Sequence, residues 1–147
     1  MGIFNLLEVS GSALSAERQR AEVVAANMAN AATTHTPTGG PYHRKEVVFR
    51  SAGNLPFRLM LADFHSQLAG AVPAVRVSQV VDDPTPPVMR YEPGHPDANK
   101  DGYVAYPAIN PIQEMVDLMG AVRSYQLNAS AITASKQMIQ QAMDLLK

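Results

Sequence analysis

PIQEMVDLMGAVRSYQLNASAITASKQMIQQAMDLLK (Pro111–Lys147) closes the chain and decides its architecture. Leu118, Tyr125, Ile132, Ile139 and Leu146 recur every seven residues, and Met115, Val122, Ala129 and Met143 fill the partner position, with Lys136 as the one break. Such an a/d stripe is the pattern of a helix that packs along its length against other helices. The start of this helix is marked as well. Asn110 supplies a cap, Pro111 takes the first helical position and Gln113 the third. Glu114 and Asp117 fall near the positive end of the helix dipole and Lys147 at the negative end. At ~1.5 Å per residue the helix would run roughly 55 Å, much longer than a small domain requires.

The opposite end of the chain is periodic in smaller residues. Leu7, Leu14, Ala21 and Met28 keep the seven-residue spacing, with Ile3, Phe4, Val24 and Ala25 beside them. Ala13, Ala16, Ala25, Ala26 and Ala29 allow close approach of a second helix. The pattern fades through Asn30–Thr34, and Pro37 bars its continuation.

Between these segments lie nearly all the prolines and glycines. Tyr42–Arg50 (YHRKEVVFR) and Ala74–Val81 (AVRVSQVV) read as strands from their β-branched and aromatic content. Val88–Tyr91 and Tyr103–Tyr106 read as two arms of a hairpin, joined by the turn-rich EPGHPDANKDG. Leu55–Leu68 is compatible with a short helix or a loop. The expected fold class is therefore α+β, in which long N- and C-terminal helices pair as a coiled-coil-like arm on a small β-rich middle. The corresponding division is 1–34, 35–109 and 110–147, with the two termini forming one unit.

Charge is sparse: 17% of residues are charged, against ~25% in an average globular domain. Five charges fall in residues 1–33 and six in 111–147, so the faces of the terminal helices that do not meet each other are only weakly polar. A helical hairpin on a small β unit would leave those faces to water. Packing against helices of other subunits would cover them. The net charge of -1 gives no reason to expect nucleic acid. The absence of cysteine excludes disulfides and thiolate sites. Residues 1–14 lack the basic n-region and apolar core of a cleavable signal peptide, and no run reaches the ~18 apolar residues of a membrane span.

Motifs that carry chemistry are few. Asp97-Ala-Asn99-Lys-Asp101-Gly102 matches the first half of an EF-hand calcium loop, but the twelfth loop position, which needs a bidentate carboxylate, is Ala108. Pro96 and Pro107 also block the flanking helices. A turn is the better reading, with Asp and Asn side chains bonding nearby amides and Gly102 supplying positive φ. His35, His43, His65 and His95 have no metal-ligand spacing, and Ser10, Ser12 and Ser15 have no nucleophile elbow. Gly39-Gly40-Pro41 is a turn without a phosphate-loop helix, and Arg44-Lys45 is too small for a nucleic-acid patch. No metal, cofactor or catalytic group is expected. A calcium-responsive module on the 97–102 turn and an enzyme with a site composed between subunits are the alternatives from other classes. Calcium titration by calorimetry tests the first; the second lacks a nucleophile–base pair.

GSALSAERQRAEVVAANMANAATT (Gly11–Thr34), with its small-residue helix ending in N-x-A-N-A, resembles the N-terminal signature of bacterial flagellar rod and hook proteins. INPIQEMVDLMGAVRSYQLNASAI (Ile109–Ile132) resembles their C-terminal signature, including its R-S-Y-Q-x-N run. GGPYHRKEVVF (Gly39–Phe49) and YEPGHPDANKDGYVAYPAIN (Tyr91–Asn110) are similar to the proximal rod members of that family. The resemblance implies a structural subunit of a hollow periplasmic rod that transmits torque and passes later export substrates. It further implies unfolded export through the flagellar type III apparatus, without signal cleavage or membrane insertion. The implied partners are other rod proteins and the adaptor joining rod to membrane ring; a neighbouring proximal rod subunit is the runner-up identity. Leu7, Leu14, Ala21, Met28, Met115, Leu118, Val122, Tyr125, Ile132, Ile139 and Leu146 are the expected subunit-interface residues.

Overall fold

Two long antiparallel helices carry a short β ribbon and a separate β hairpin. The fold is that of a computed structural model, which describes residues 3–52 and 74–145. Helix α1 spans Ile3–Ala29 and helix α2 spans Pro111–Asp144. Strands β1 (Lys45–Ala52) and β2 (Ala74–Asp82) form one antiparallel pair, and β3 (Val88–Tyr91) and β4 (Tyr103–Tyr106) another. The ambiguous stretch Leu55–Leu68 and the expected interface residue Leu146 lie outside the described residues.

The helix ends follow from their sequences. Asn110 caps α2, its side-chain oxygen accepting from the Ile112 amide at 3.0 Å, and Pro111 opens the helix without losing a bond. At the end of α1 the Asn30 amide and side chain both donate to the Ala26 carbonyl, and the Thr33 amide then bonds back to Asn30. That turn leads into a tight loop in which the Thr36 amide donates to the Gly40 carbonyl and Gly39 and Gly40 both take positive φ.

The strands lie close to where β-propensity puts them. The hairpin arms agree residue for residue, with Val88 opposite Tyr106 and Tyr91 opposite Tyr103. The first strand starts at Lys45 and not at Tyr42, because the Tyr42 amide is spent on the Thr33 carbonyl and its hydroxyl on Asn27. In the ribbon, Val48 pairs with Gln79 and Phe49 with Val77, so Ser78 is an extra residue and the ribbon bends there. The Val75 amide donates to the Ser12 hydroxyl, seating β2 on α1.

Asn27, near the end of α1, bonds Glu114 in the first turn of α2, while Arg20 lies 3.8 Å from Asp117. The helices therefore run antiparallel. At ~1.5 Å per residue they measure about 40 and 51 Å, so α2 is longer by about two turns. The buried side chains are small or polar: Ala16, Val24, Val104 and Ala121 beside Ser10, Asn27, Glu114 and Ser135 among the described residues. A core so poor in large apolar groups contributes little hydrophobic stabilisation per residue, and its polar members have to be satisfied in place.

Candidate assembly interface

The face of α2 that meets α1 is not its apolar stripe. Glu114, Ala121 and Ser135 are buried, and Asp117, Ser124, Asn128 and Ala131 between them are half-buried. This seam keeps heptad spacing but runs one residue earlier than the stripe of Met115, Leu118, Val122, Tyr125, Ala129 and Ile132. One residue is a rotation of about 100°. Leu118, Ile132 and Ile139 consequently sit half-buried at the edge of the helix pair. Met115, Val122 and Tyr125 face outward, with 52%, 45% and 43% of their surface exposed, and Ile112, Val116 and Met119 extend the apolar surface beside them. On α1, Leu7, Leu14, Ala21 and Met28 are all half-buried. Small seam residues bring the two backbones close, and the larger apolar side chains are left on the outside.

A polar clasp fixes the end of the pair where α1, β1 and α2 meet. The Glu114 carboxylate, only 1% exposed, accepts from Arg44 Nε at 2.6 Å and from Asn27 Nδ2 at 3.0 Å. Asn27 also donates to the Lys45 carbonyl and accepts from the Lys45 amide, both at 2.9 Å, mimicking a strand neighbour at the first residue of β1. Tyr42 donates to the same Asn27 oxygen at 3.1 Å. Arg44 further meets Glu46, and lies 3.7 Å from both Asp83 and Asp117. Burial alone would lower the pKa of the Arg44 guanidinium, but hydrogen bonds and charge from Glu114 and Glu46 outweigh it and hold it above the ordinary value. Burial pushes the Tyr42 phenol up. Asp83, bonded by the Thr85 hydroxyl and amide, is held below the usual carboxylate value. Arg44 and Asp83 therefore both stay charged at neutral pH.

Sequence reasoning missed this clasp. It assigned Glu114 and Asp117 to the helix dipole, whereas both are drawn into ion pairs with arginines, and Arg44 counted only as half of a small basic pair. The available signal was the N-x-A-N-A run, whose first asparagine is Asn27.

The 92–102 connection is a structural turn. Asn99 Oδ1 accepts from the Asp101 and Tyr103 amides, Asp97 Oδ2 accepts from the Thr34 hydroxyl, and Gly102 has φ +80°. Thr34 thereby ties the hairpin to the segment leaving α1. Tyr106 donates to Glu92 at 2.9 Å, which raises its pKa, and Arg90 stacks over the Tyr106 ring at 4.6 Å. A Cβ on Gly102 would lie 2.9 Å from Tyr91 Cε2, besides occupying the left-handed region. Gly102→Ala is accordingly expected to cost about 1–2 kcal/mol, read as a lower urea midpoint; an unchanged midpoint would show that the hairpin adapts freely.

No cleft on the described surface gathers a nucleophile, a base and an oxyanion donor; what the fold displays is a helix pair with an outward apolar stripe. Such a surface suits a subunit that packs by its helices into an assembly. The terminal segments match families of that class: residues 7–34 match "Flagella basal body rod protein" and residues 100–145 match "Flagellar basal body rod FlgEFG protein C-terminal". The chain is 39% identical to the flagellar basal-body rod protein FlgC of Bacillus subtilis, covering all of both chains. It is 36% identical to that of Borreliella burgdorferi, over 100% of this chain and 99% of the relative, and 34% identical to that of Salmonella typhimurium, over 99% and 98%. The chain belongs to the FlgC family and is a structural subunit of the bacterial flagellar basal-body rod.

Proposed function

We propose that this subunit polymerises with other rod proteins through its paired terminal helices, building a proximal segment of a hollow shaft that transmits torque and conducts export substrates. The observation that carries this reading is the outer edge of the apolar stripe of α2, where Met115, Val122 and Tyr125 stand exposed beside the small, polar seam. Met115, Leu118, Val122, Tyr125, Ile132 and Ile139 meet neighbouring helices, with Leu7, Leu14, Ala21 and Met28 supporting them from α1. Burying each large side chain contributes roughly 1.5–3 kcal/mol, enough for a few contacts to offset the ordering of a subunit in a polymer. The termini (1–34 and 110–147) act as one assembly unit, and the middle (35–109) makes the outer contacts that set the subunit's place. The role is structural and not enzymatic. The rod lies in the periplasm, reached through the flagellar type III apparatus, and its base meets the adaptor to the membrane ring.

A photoreactive amino acid at Tyr125 is the direct test, with one at Tyr91 reporting the outer contacts. In cells building rods, the probe at 125 is expected to cross-link to another axial protein, and the product is expected to vanish when rod assembly is blocked. A probe at 125 that captures nothing in assembled rods would remove the stripe from the interface.

A further inference from the structure

The clasp and the stripe occupy the same turns of α2, and their positions conflict. The observed seam places Glu114, Asp117, Ala121, Ser124, Asn128, Ala131 and Ser135 toward α1. Turning α2 by one residue, about 100°, would place Met115, Leu118, Val122, Tyr125, Ala129 and Ile132 there instead. Hydrophobic burial favours the turned arrangement, because it covers three large side chains that now stand exposed and returns carboxylates to water. The molecule takes the other one.

Close packing at Ala16, Ala121 and Ser135 resists the turn along the seam, but the polar contacts that oppose it are confined to one end. Glu114 reaches Asn27 and Arg44 only at the observed rotation. Asp117, on the same face, approaches both Arg20 and Arg44. Asn27 and Arg44 cannot follow α2 round, since Asn27 is bonded through both side-chain atoms to the Lys45 backbone and Arg44 is anchored beside Glu46 and Asp83. Rotation would therefore take from the buried Asn27 amide one of its two acceptors and from the Arg44 guanidinium its Glu114 partner, leaving it Glu46 and Asp83. Elsewhere in the seam, Ser135 donates only to the Ala131 carbonyl of its own helix, and Asn128 only to that of Ser124. Those bonds travel with α2 and are indifferent to its rotation.

We propose that the Asn27–Glu114–Arg44 clasp is a rotational lock, holding the apolar stripe of α2 outward in the free subunit against the pull of hydrophobic burial on α1. Buried polar groups that fix register at the expense of stability are an established device in helix pairs. The purpose assigned to the lock rests on the stripe being the assembly surface, but the rotation itself is a property of the monomer and is measured there.

The chain has no cysteine, so a single introduced thiol reports its own exposure. In dilute monomer, Val122→Cys is expected to react with a maleimide at least about tenfold faster than Ser135→Cys, whose labelling waits on local opening. The conservative Glu114→Gln keeps the acceptor for Arg44 and should preserve that order. Arg44→Met/Glu114→Leu removes the lock without stranding a charge, and the order should reverse. A helical monomer of that variant with the thiol at position 122 still the faster would overturn the lock. Should the variant lose its helix, Asn27→Leu/Arg44→Met/Glu114→Leu, which removes the clasp's core, is labelled instead. Loss of helix there too, with both thiols reacting as in the urea-unfolded chain, would also overturn it, showing that the clasp holds the fold and not the rotation. Failure of the cross-link at Tyr125 with a reversed labelling order would sink the assembly reading alone.

Discussion

Met115→Glu/Val122→Glu is expected to abolish rod formation and swimming while leaving the purified monomer folded, with an unfolding free energy within about 1 kcal/mol of the parent. Both side chains are about half exposed in the free subunit and stand outside the seam, so the folded chain hydrates the new carboxylates. Glutamate is also as good a helix former as methionine and better than valine. In a polymer the same positions would be covered, and a covered carboxylate without a partner costs several kcal/mol. Losing two apolar contacts as well, and counting ~1.4 kcal/mol per decade, the concentration needed to assemble should rise by two or more orders of magnitude. Swimming assays and electron microscopy of basal bodies read the assembly, and urea melts of the purified chain read the fold. Normal motility would remove these residues from the interface. A monomer that melts early would show instead that they support the subunit's own structure.

Much of this fold was legible because it is written in local chemistry. The cap at Asn110, the hairpin arms at 88–91 and 103–106, and the left-handed Gly102 each follow from a few adjacent residues and appear where those residues place them. The strand read at 74–81, which runs one residue further to Asp82, and the end of α1 before Asn30 belong with them. The rotation of α2 was not legible. Periodicity locates the apolar face of a helix but does not say what that face meets. In α2 the intrachain partner takes the neighbouring column of small and polar residues, which a search for apolar repeats passes over. Lys136 carried a hint: it breaks the stripe, whereas the observed seam has Ser135 at the equivalent place and no break. The clasp was hidden for another reason. Asn27, Arg44 and Glu114 lie 17 and 70 residues apart along the chain, and nothing local marks a glutamate in the first turn of a helix as buried rather than facing water.

Glu114→Ala is expected to destabilise the chain by about 2–3 kcal/mol, a large share of the ~5–15 kcal/mol that holds a domain together. The loss comes less from the missing bonds than from what they leave behind. Arg44 loses its Glu114 partner at 2.6 Å, and Asn27 Nδ2 loses one of two acceptors. Glu46, Asp83 and Asp117 remain near the guanidinium, which keeps the figure below the ~3–5 kcal/mol of a wholly buried pair. Helix-dipole loss adds only about 0.3–1 kcal/mol, so an effect of that size alone would return Glu114 to the role of a surface carboxylate. Arg44→Met in the same background separates the two accounts. If the side chains act as one clasp, the double variant should be less destabilised than the sum of the singles by about 1–3 kcal/mol, because removing the second partner relieves the stranded charge. Urea titrations of the four proteins give that difference directly, and additivity within about 0.5 kcal/mol would mean that the carboxylate and the guanidinium are independent, leaving nothing to lock α2 in place.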